Sequence, residues 1–363
     1  MFVAMTACVD TIEFAEAPPA EVIILDGSIT TDPAPYTIKL TRGLPLYADS
    51  TLNAPVPGAK IVLHADDGRS EAFTEGKDGS YTTGGAIQGV VGGTYHITIT
   101  MPDGATFESL PETILASGHV EDIQFVYEHR TITKPYGVEP ADVFNIFVNA
   151  SALPSEKDKP SFVRWRYKGV FVTETHPELH LRWLQGDNWF LDPYPCSGFT
   201  VQPALGGGYL SQEKPCECCR CWITQNETTP RLSDTELVEN GQFRNIKVGE
   251  VPINRRSFYE KYKVTVDQMS ISKTAFDFFR IIRAQKDGSS NLFQPPPGKI
   301  TGNIIPVNSG YEIVGLFWAA SINTSSIYIT RDDLPYKLPT DVVTFPCTFY
   351  GNSSSTKPVD WDE

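Results

Sequence analysis

Between residues 21 and 118, apolar and polar positions trade places in short runs, and turn residues close each run. Tyr36-Thr37-Ile38-Lys39-Leu40 alternates strictly, while Val22-Ile23-Ile24-Leu25 is continuously apolar. Pro57-Gly58 opens a run through Ala59-Lys60-Ile61-Val62-Leu63 to the turn Asp66-Asp67-Gly68. Gly79-Ser80-Tyr81 and Gly93-Thr94-Tyr95 start further runs, the second passing through His96-Ile97-Thr98-Ile99-Thr100 to Pro102-Asp103-Gly104. A period of two belongs to strands, whose side chains alternate between faces, and Asp-Gly supplies the positive φ of a tight turn. Strands repeated at this spacing predict a compact β-sandwich over 21–118.

Strand patterns continue from 119 to 363, at Asp122–Tyr127, Val143–Val148, Phe162–Tyr167, Tyr262–Val266 and Tyr311–Phe317. Ser272–Lys286 breaks the rule. Ser272 is a good N-cap, cations crowd the last turns, Gly288 follows, and Phe276, Phe279 and Ile282 fall on one helical face. The chain is therefore mainly β: a sandwich, then a larger antiparallel β domain with one amphipathic helix at about 272–286. Gln294-Pro295-Pro296-Pro297-Gly298 reads as a stiff extended connector. The Ser-rich stretch from Gly351 to Thr356 reads as a mobile tail, with Pro358 and Trp361 hinting at a docked end.

Charge narrows the partners. The chain carries a formal net charge of −14, a surface that repels phosphate backbones and argues against nucleic acid. No run approaches the roughly 18 apolar residues that a membrane-spanning helix needs. Met5-Thr6-Ala7-Cys8 instead fits a lenient bacterial lipobox, where small residues sit at the cut and the Cys8 thiol accepts diacylglycerol. Residues 1–8 then read as the end of a signal peptide and 9–20 as a polar, Pro-bearing tether. Several acyl chains at about 0.8 kcal/mol per buried methylene would hold such a protein firmly on a membrane.

Six cysteines follow Cys8: Cys196, Cys216, Cys218, Cys219, Cys221 and Cys347. In an exported chain an even number favours disulfides. Adjacent cysteines point in different directions, so Cys218 and Cys219 should have different partners, with Cys196 and Cys347 joining the cluster. Crowding of four thiols into Cys216–Cys221 suits a zinc site poorly, because such sites usually pair two distant Cys-x2–4-Cys elements.

Other chemistry is sparse. His176 and His180 stand four apart, but Pro177 follows the first and no third ligand is near, which reads as a surface loop. No Gly-x-Ser-x-Gly or Walker loop occurs, and Gly206-Gly207-Gly208 lacks the lysine of a phosphate site. The expectation is a protein with no cofactor, no bound metal and no catalytic residues. The stretch LRWLQGDNWFLDPYP offers Trp183, Trp189 and Phe190, aromatics that can stack on sugars, fill a partner's groove, or simply form strand core. Asp10-Thr11-Ile12 and Asp49-Ser50-Thr51 match the short Asp-Ser/Thr-apolar pattern of periplasmic O-glycosylation.

Two resemblances add to this reading. The phrases VPGAKIVLHADDG, DGSY and GGTYHITITMPDG resemble the transthyretin-like and carboxypeptidase-regulatory-like immunoglobulin-type modules of bacterial surface proteins, which implies an Ig-like spacer whose Gly-x-Tyr tyrosines plug the sandwich edge. Across nearly the whole chain, an ordered series resembles the Bacteroidota lipoprotein family catalogued as domain of unknown function 4249. The series comprises the Cys8-Val9-Asp10 start, Cys221-Trp222, Tyr262–Ser272, Asn291–Pro297, Ile300-Thr301-Gly302-Asn303-Ile304, Val314–Phe317, Cys347 and Lys357–Trp361. That resemblance implies an outer-membrane, surface-exposed lipoprotein, often encoded beside TonB-dependent transporters, with no established catalytic residues. The leading expectation is a non-enzymatic accessory or ligand-capture partner of such a β-barrel. The alternatives are a structural accessory of outer-membrane protein biogenesis and a hydrolase with an unrecognised site.

Overall fold

The computed structural model describes residues 22–43, 54–151, 161–184, 188–205, 207–235, 238, 241–288, 302–310, 312–338 and 342–362. Cys8, the tether, both glycosylation tripeptides and the Pro295–Pro297 connector lie outside the described residues. The first strands are β1 (Val22–Thr30), β2 (Thr37–Arg42), β3 (Ala54–Pro55), β4 (Lys60–Ala65), β5 (Ser70–Ala72), β6 (Thr74–Glu75), β7 (Ser80–Thr82), β8 (Thr94–Thr100), β9 (Thr106–Ser109) and β10 (Glu112–Thr113). Next come β11 (His119–Glu128), β12 (Thr131–Lys134), β13 (Gly137–Pro140), β14 (Val143–Ser151), β15 (Phe162–Glu174), β16 (Leu181–Leu184), β17 (Asn188–Leu191), β18 (Phe199–Ala204) and β19 (Gly207–Gln212). The remainder are β20 (Arg220–Asn226), β21 (Arg231–Asp234), β22 (Gln242–Pro252), β23 (Tyr262–Ile271), the helix α1 (Lys273–Gly288), β24 (Ile304–Asn308), β25 (Glu312–Ile329) and β26 (Ser353–Ser354).

One sheet of 11 strands forms the backbone of the fold, in the order β26-β20-β15-β23-β25-β1-β2-β7-β6, with β21 beside β15 and β3 beside β2. Its spine is β25, parallel to β1 and antiparallel to β23. Strand periodicity divides the work between the two faces of β25. Odd residues Phe317 and Ala319 join a core with β1, β2, β4, β8 and β9, and Ile327 and Ile329 join a second core with β14, β22 and β15. Even residues Leu316, Trp318 and Ala320 face α1, meeting Phe276 and Phe279. Two small sheets, β24-β9-β8-β4-β5 with β10 and β11-β14-β22, thus cover one face, and the helix covers part of the other.

The turn chemistry works as the residue types require. Gly68 and Gly104 hold positive φ at the two Asp-Gly turns. Tyr81 is buried, and its hydroxyl donates to the Val56 carbonyl at 2.6 Å and accepts from the Ala59 N–H at 3.2 Å, tying the β3–β4 connection to β7. The Ser272 hydroxyl accepts from the Ala275 N–H at 3.1 Å and caps α1 as the sequence predicts.

The expected boundary near residue 118 does not separate two closed bodies. β24 pairs β9 and β25 pairs β1, so Ile304, Phe317 and Ala319 complete the core of the first sandwich from the far end of the chain. Gly302-Asn303 acquires a physical meaning here. A Cβ on Gly302 would stand 1.4 Å from the Gly315 carbonyl oxygen, so no side chain fits at 302. Buried Asn303 uses its amide as a strand would, donating to the Phe317 carbonyl at 2.6 Å and accepting from the Phe317 N–H at 3.0 Å. The C-terminal stretch also differs from the mobile tail expected. β26 pairs β20, and Trp361 is buried against Val170, Val172 and Trp222. Lys263 reaches Asp360 there, which anchors the stretch by charge as well as by area.

Two outcomes follow from this closure. Residues 22–118 produced alone are expected to give a poorly dispersed amide NMR spectrum, because one side of β1 is unpaired and three core side chains are missing; a dispersed spectrum would make the first sandwich autonomous. Glu112, only 3 % exposed, accepts from Asn303 Nδ2 at 3.3 Å at this junction. Burial pushes its carboxyl up from 4.5 to about 6, against hydrogen bonds from Ser272 and Asn303 that lower it. The folded state thus holds this proton more tightly than the unfolded chain does. Stability is expected to fall by about 2 kcal/mol as pH rises from below 4.5 through 6. Urea melts of Glu112→Gln should lack that share of the loss.

Candidate functional site

β15 ends at Glu174 and its antiparallel neighbour β20 begins at Arg220. Between them the chain leaves the shared sheet and builds two hairpins on a disulfide knot. Three bridges frame it: Cys196–Cys218, Cys216–Cys219 and Cys221–Cys347, with sequence separations of 22, 3 and 126. Cys218 and Cys219 do take different partners. Backbone bonds stitch the same region, from Glu217 N–H to the Cys196 carbonyl, Cys347 N–H to the Cys218 carbonyl and Thr175 N–H to the Cys219 carbonyl, at 2.9, 2.9 and 2.7 Å. The Cys196–Cys218 loop contains the β18–β19 hairpin whole, and Cys221–Cys347 brings the 342–350 segment against β20.

The β16–β17 hairpin carries the aromatics singled out in the sequence. Trp183 lies opposite Trp189, Leu181 opposite Leu191, and Arg182 opposite Phe190. Alternation therefore places both indoles on one face, where they are 54 % and 62 % exposed. Phe190 is on the other face, half-buried, with the Arg182 guanidinium 4.9 Å from its ring centroid. The three residues do not share a face: Trp183 and Trp189 lie on one side of the ribbon, and Phe190 lies with Arg182 on the other.

Behind the ribbon, His180 packs on Tyr194 and Phe345 at centroid distances of 4.6 and 5.4 Å, and Tyr194 meets Phe349 edge-on at 5.6 Å. His176 instead pairs with Glu178 at 2.9 Å across a short 3-10 turn, Pro177–Leu179, so the two histidines have separate partners. Phe345 and Phe349 are exposed, as are Leu179 and Leu181. Sequence reading missed the two phenylalanines. The available signal was their place on either side of Cys347, because a bridge back to Cys221 must carry them to the knot.

A second ribbon, β12–β13, stands out with Tyr136 fully exposed between its strands. Its base is locked on Asp142, which accepts from Tyr336 and Tyr127 at 2.6 and 3.1 Å and pairs with His129 at 2.7 Å. Burial would raise this carboxyl, but the bonds from Tyr336, the Arg130 N–H, Tyr127 and His129 together hold it below the ordinary range. Among the described residues, no group of three or more His, Cys, Asp or Glu side chains is placed to hold a metal ion. What the two ribbons offer is exposed aromatic surface.

A family profile described as "Domain of unknown function (DUF4249)" matches residues 9–326. The chain belongs to that family. No curated protein matches it. The family match begins just ahead of β1 and ends inside β25, so it takes in the whole β1–β25 pairing that closes the fold and leaves out Cys347.

The bridges differ in what they hold. In the loop-entropy account, closing 126 residues contributes about 5 kcal/mol and closing 22 about 3 kcal/mol, with much less for a separation of 3. Cys221→Ala with Cys347→Ala should therefore lower the thermal midpoint by many degrees. Cys216→Ala with Cys219→Ala should shift it little. Calorimetry of the two double variants reads the contrast directly.

Proposed function

We propose that this protein is a non-catalytic, lipid-anchored accessory of an outer-membrane β-barrel, a TonB-dependent transporter, and that the Trp183/Trp189 ribbon is its contact surface. The observation that carries the reading is the pair of exposed indoles on a ribbon rooted beside a disulfide knot. Apolar area left in water is unfavourable by about 25 cal/mol per Å², and Trp is the residue type most enriched where binding energy concentrates. A hydrogen-bonded ribbon loses less conformational freedom on docking than an open loop does, so more of the contact energy appears as affinity. The net charge of −14 gives no attraction to anionic lipid, so on this reading acylation of Cys8 supplies the membrane attachment. Further support comes from family membership, through the lipoprotein character and transporter neighbourhood that the resemblance implies.

Cys8→Ala is expected to move the protein from the membrane to the soluble fraction and to abolish palmitate labelling; unchanged fractionation and no label on wild type would remove the anchor from the proposal. Pull-down of membrane-extracted protein, read by mass spectrometry, should recover a transporter barrel. Trp183→Ser with Trp189→Ser should lose that barrel while leaving the melting temperature in place. Recovery of assembly-machinery subunits instead would favour a role in outer-membrane biogenesis.

A further inference from the structure

Among the described residues, the helix-bearing face of the shared sheet is only partly covered. α1 packs over β15, β23 and β25, and the sheet continues past it into β1, β2 and β7. The outward residues there are short and polar: Ser28 on β1, Thr37 on β2 and Ser80 on β7. Beside them, Phe279 of α1 and Trp318 of β25 meet edge-on at 5.6 Å and form a wall. The result is a cavity of about 360 Å³, which falls in the range of small-molecule sites, roughly 300–1,000 Å³.

Its lining is charged as well as polar. Three cations, Lys39, Arg164 and Arg166, line it with one carboxylate, Asp26, in a chain of net charge −14. Arg164 is held rigid: its guanidinium lies 4.1 Å from the Phe279 ring centroid and pairs with Glu227 at 2.5 Å. Asp267 takes the Nε and Nη2 edges of Arg166 at 2.8 and 2.7 Å, which leaves Nη1 as a donor. Lys39 faces Asp26 across the β1–β2 ladder. Glu227, Asp267 and Asp26 thus stand against the three cations, and Lys39 and Arg166 keep donors at the cavity lining.

The lining offers hydroxyls, a carboxylate and cationic donors side by side, and a ligand that carries both a carboxylate and hydroxyls can use all three kinds of group. We propose that this cavity binds a monosaccharide-sized sugar acid, with its carboxylate held by Lys39 and Arg166 and its hydroxyls by Ser28, Thr37, Ser80 and Asp26. The site is separate from the Trp183/Trp189 ribbon, so it stands whether or not that ribbon contacts a barrel.

Calorimetric titration of the full chain with glucuronate tests it. Expected is saturable binding by wild type, weakened about tenfold or more by Lys39→Ala, the size of effect that losing one charge-assisted contact gives. Lys60→Ala, on the separate β4, should bind as wild type, and the exposed position of Lys39 should keep its variant's melting temperature unchanged. Glucose and inorganic phosphate should each bind at least about tenfold more weakly than glucuronate. The proposal is overturned by no binding to wild type, by equal binding of phosphate or glucose, or by a Lys39→Ala variant that binds glucuronate undiminished.

Discussion

The parallel ladder between β1 and β25 runs from Val22 opposite Glu312 to Thr30 opposite Ala320, and joins the beginning of the fold to its end. Parallel strands are stable where both faces are covered, and both strands lie inside the 11-stranded sheet with apolar residues on the sandwich side. Backbone approaches so closely there that a Cβ on Gly315 would stand 2.0 Å from the Leu25 carbonyl oxygen, with Gly315 itself at φ +147°. A contact between segments so distant in sequence costs closure entropy first and is stabilised only when both cores condense. Cooperativity across the whole sheet is the consequence.

That rigid frame explains where variation in chemistry is placed. The chain leaves the frame between β15 and β20, and there the bridges do what a core would otherwise do. Cys218, Cys221 and Cys347 are buried, and the ribbons around them hold aromatic side chains out into solvent. On the helical face, by contrast, the frame itself supplies a polar floor, because α1 is too short to cover β1 and β2 as well as β15, β23 and β25. One surface is apolar and projecting, the other polar and recessed.

Strand positions were legible because they depend on local alternation. Every run named over 21–118 became a strand or a turn, and Ser272 with Phe276 and Phe279 marked the helix correctly. The pairing rule for adjacent cysteines also held, since it follows from side-chain direction alone. Phe345 and Phe349 could not be placed from periodicity, because a bridge from residue 221 decides their neighbourhood.

By itself the sequence determined fold class, the helix and the turn glycines, all set by interactions within a few residues, and its crowded, even set of cysteines announced a disulfide cluster. Only the tertiary structure decided that Ile304, Phe317 and Ala319 complete the first sandwich, that the indoles of Trp183 and Trp189 share an exposed face while Phe190 does not, and that Lys39, Arg164 and Arg166 converge. Those facts depend on strand order and register between segments far apart in the chain, which the total burial of both cores selects and no local pattern encodes.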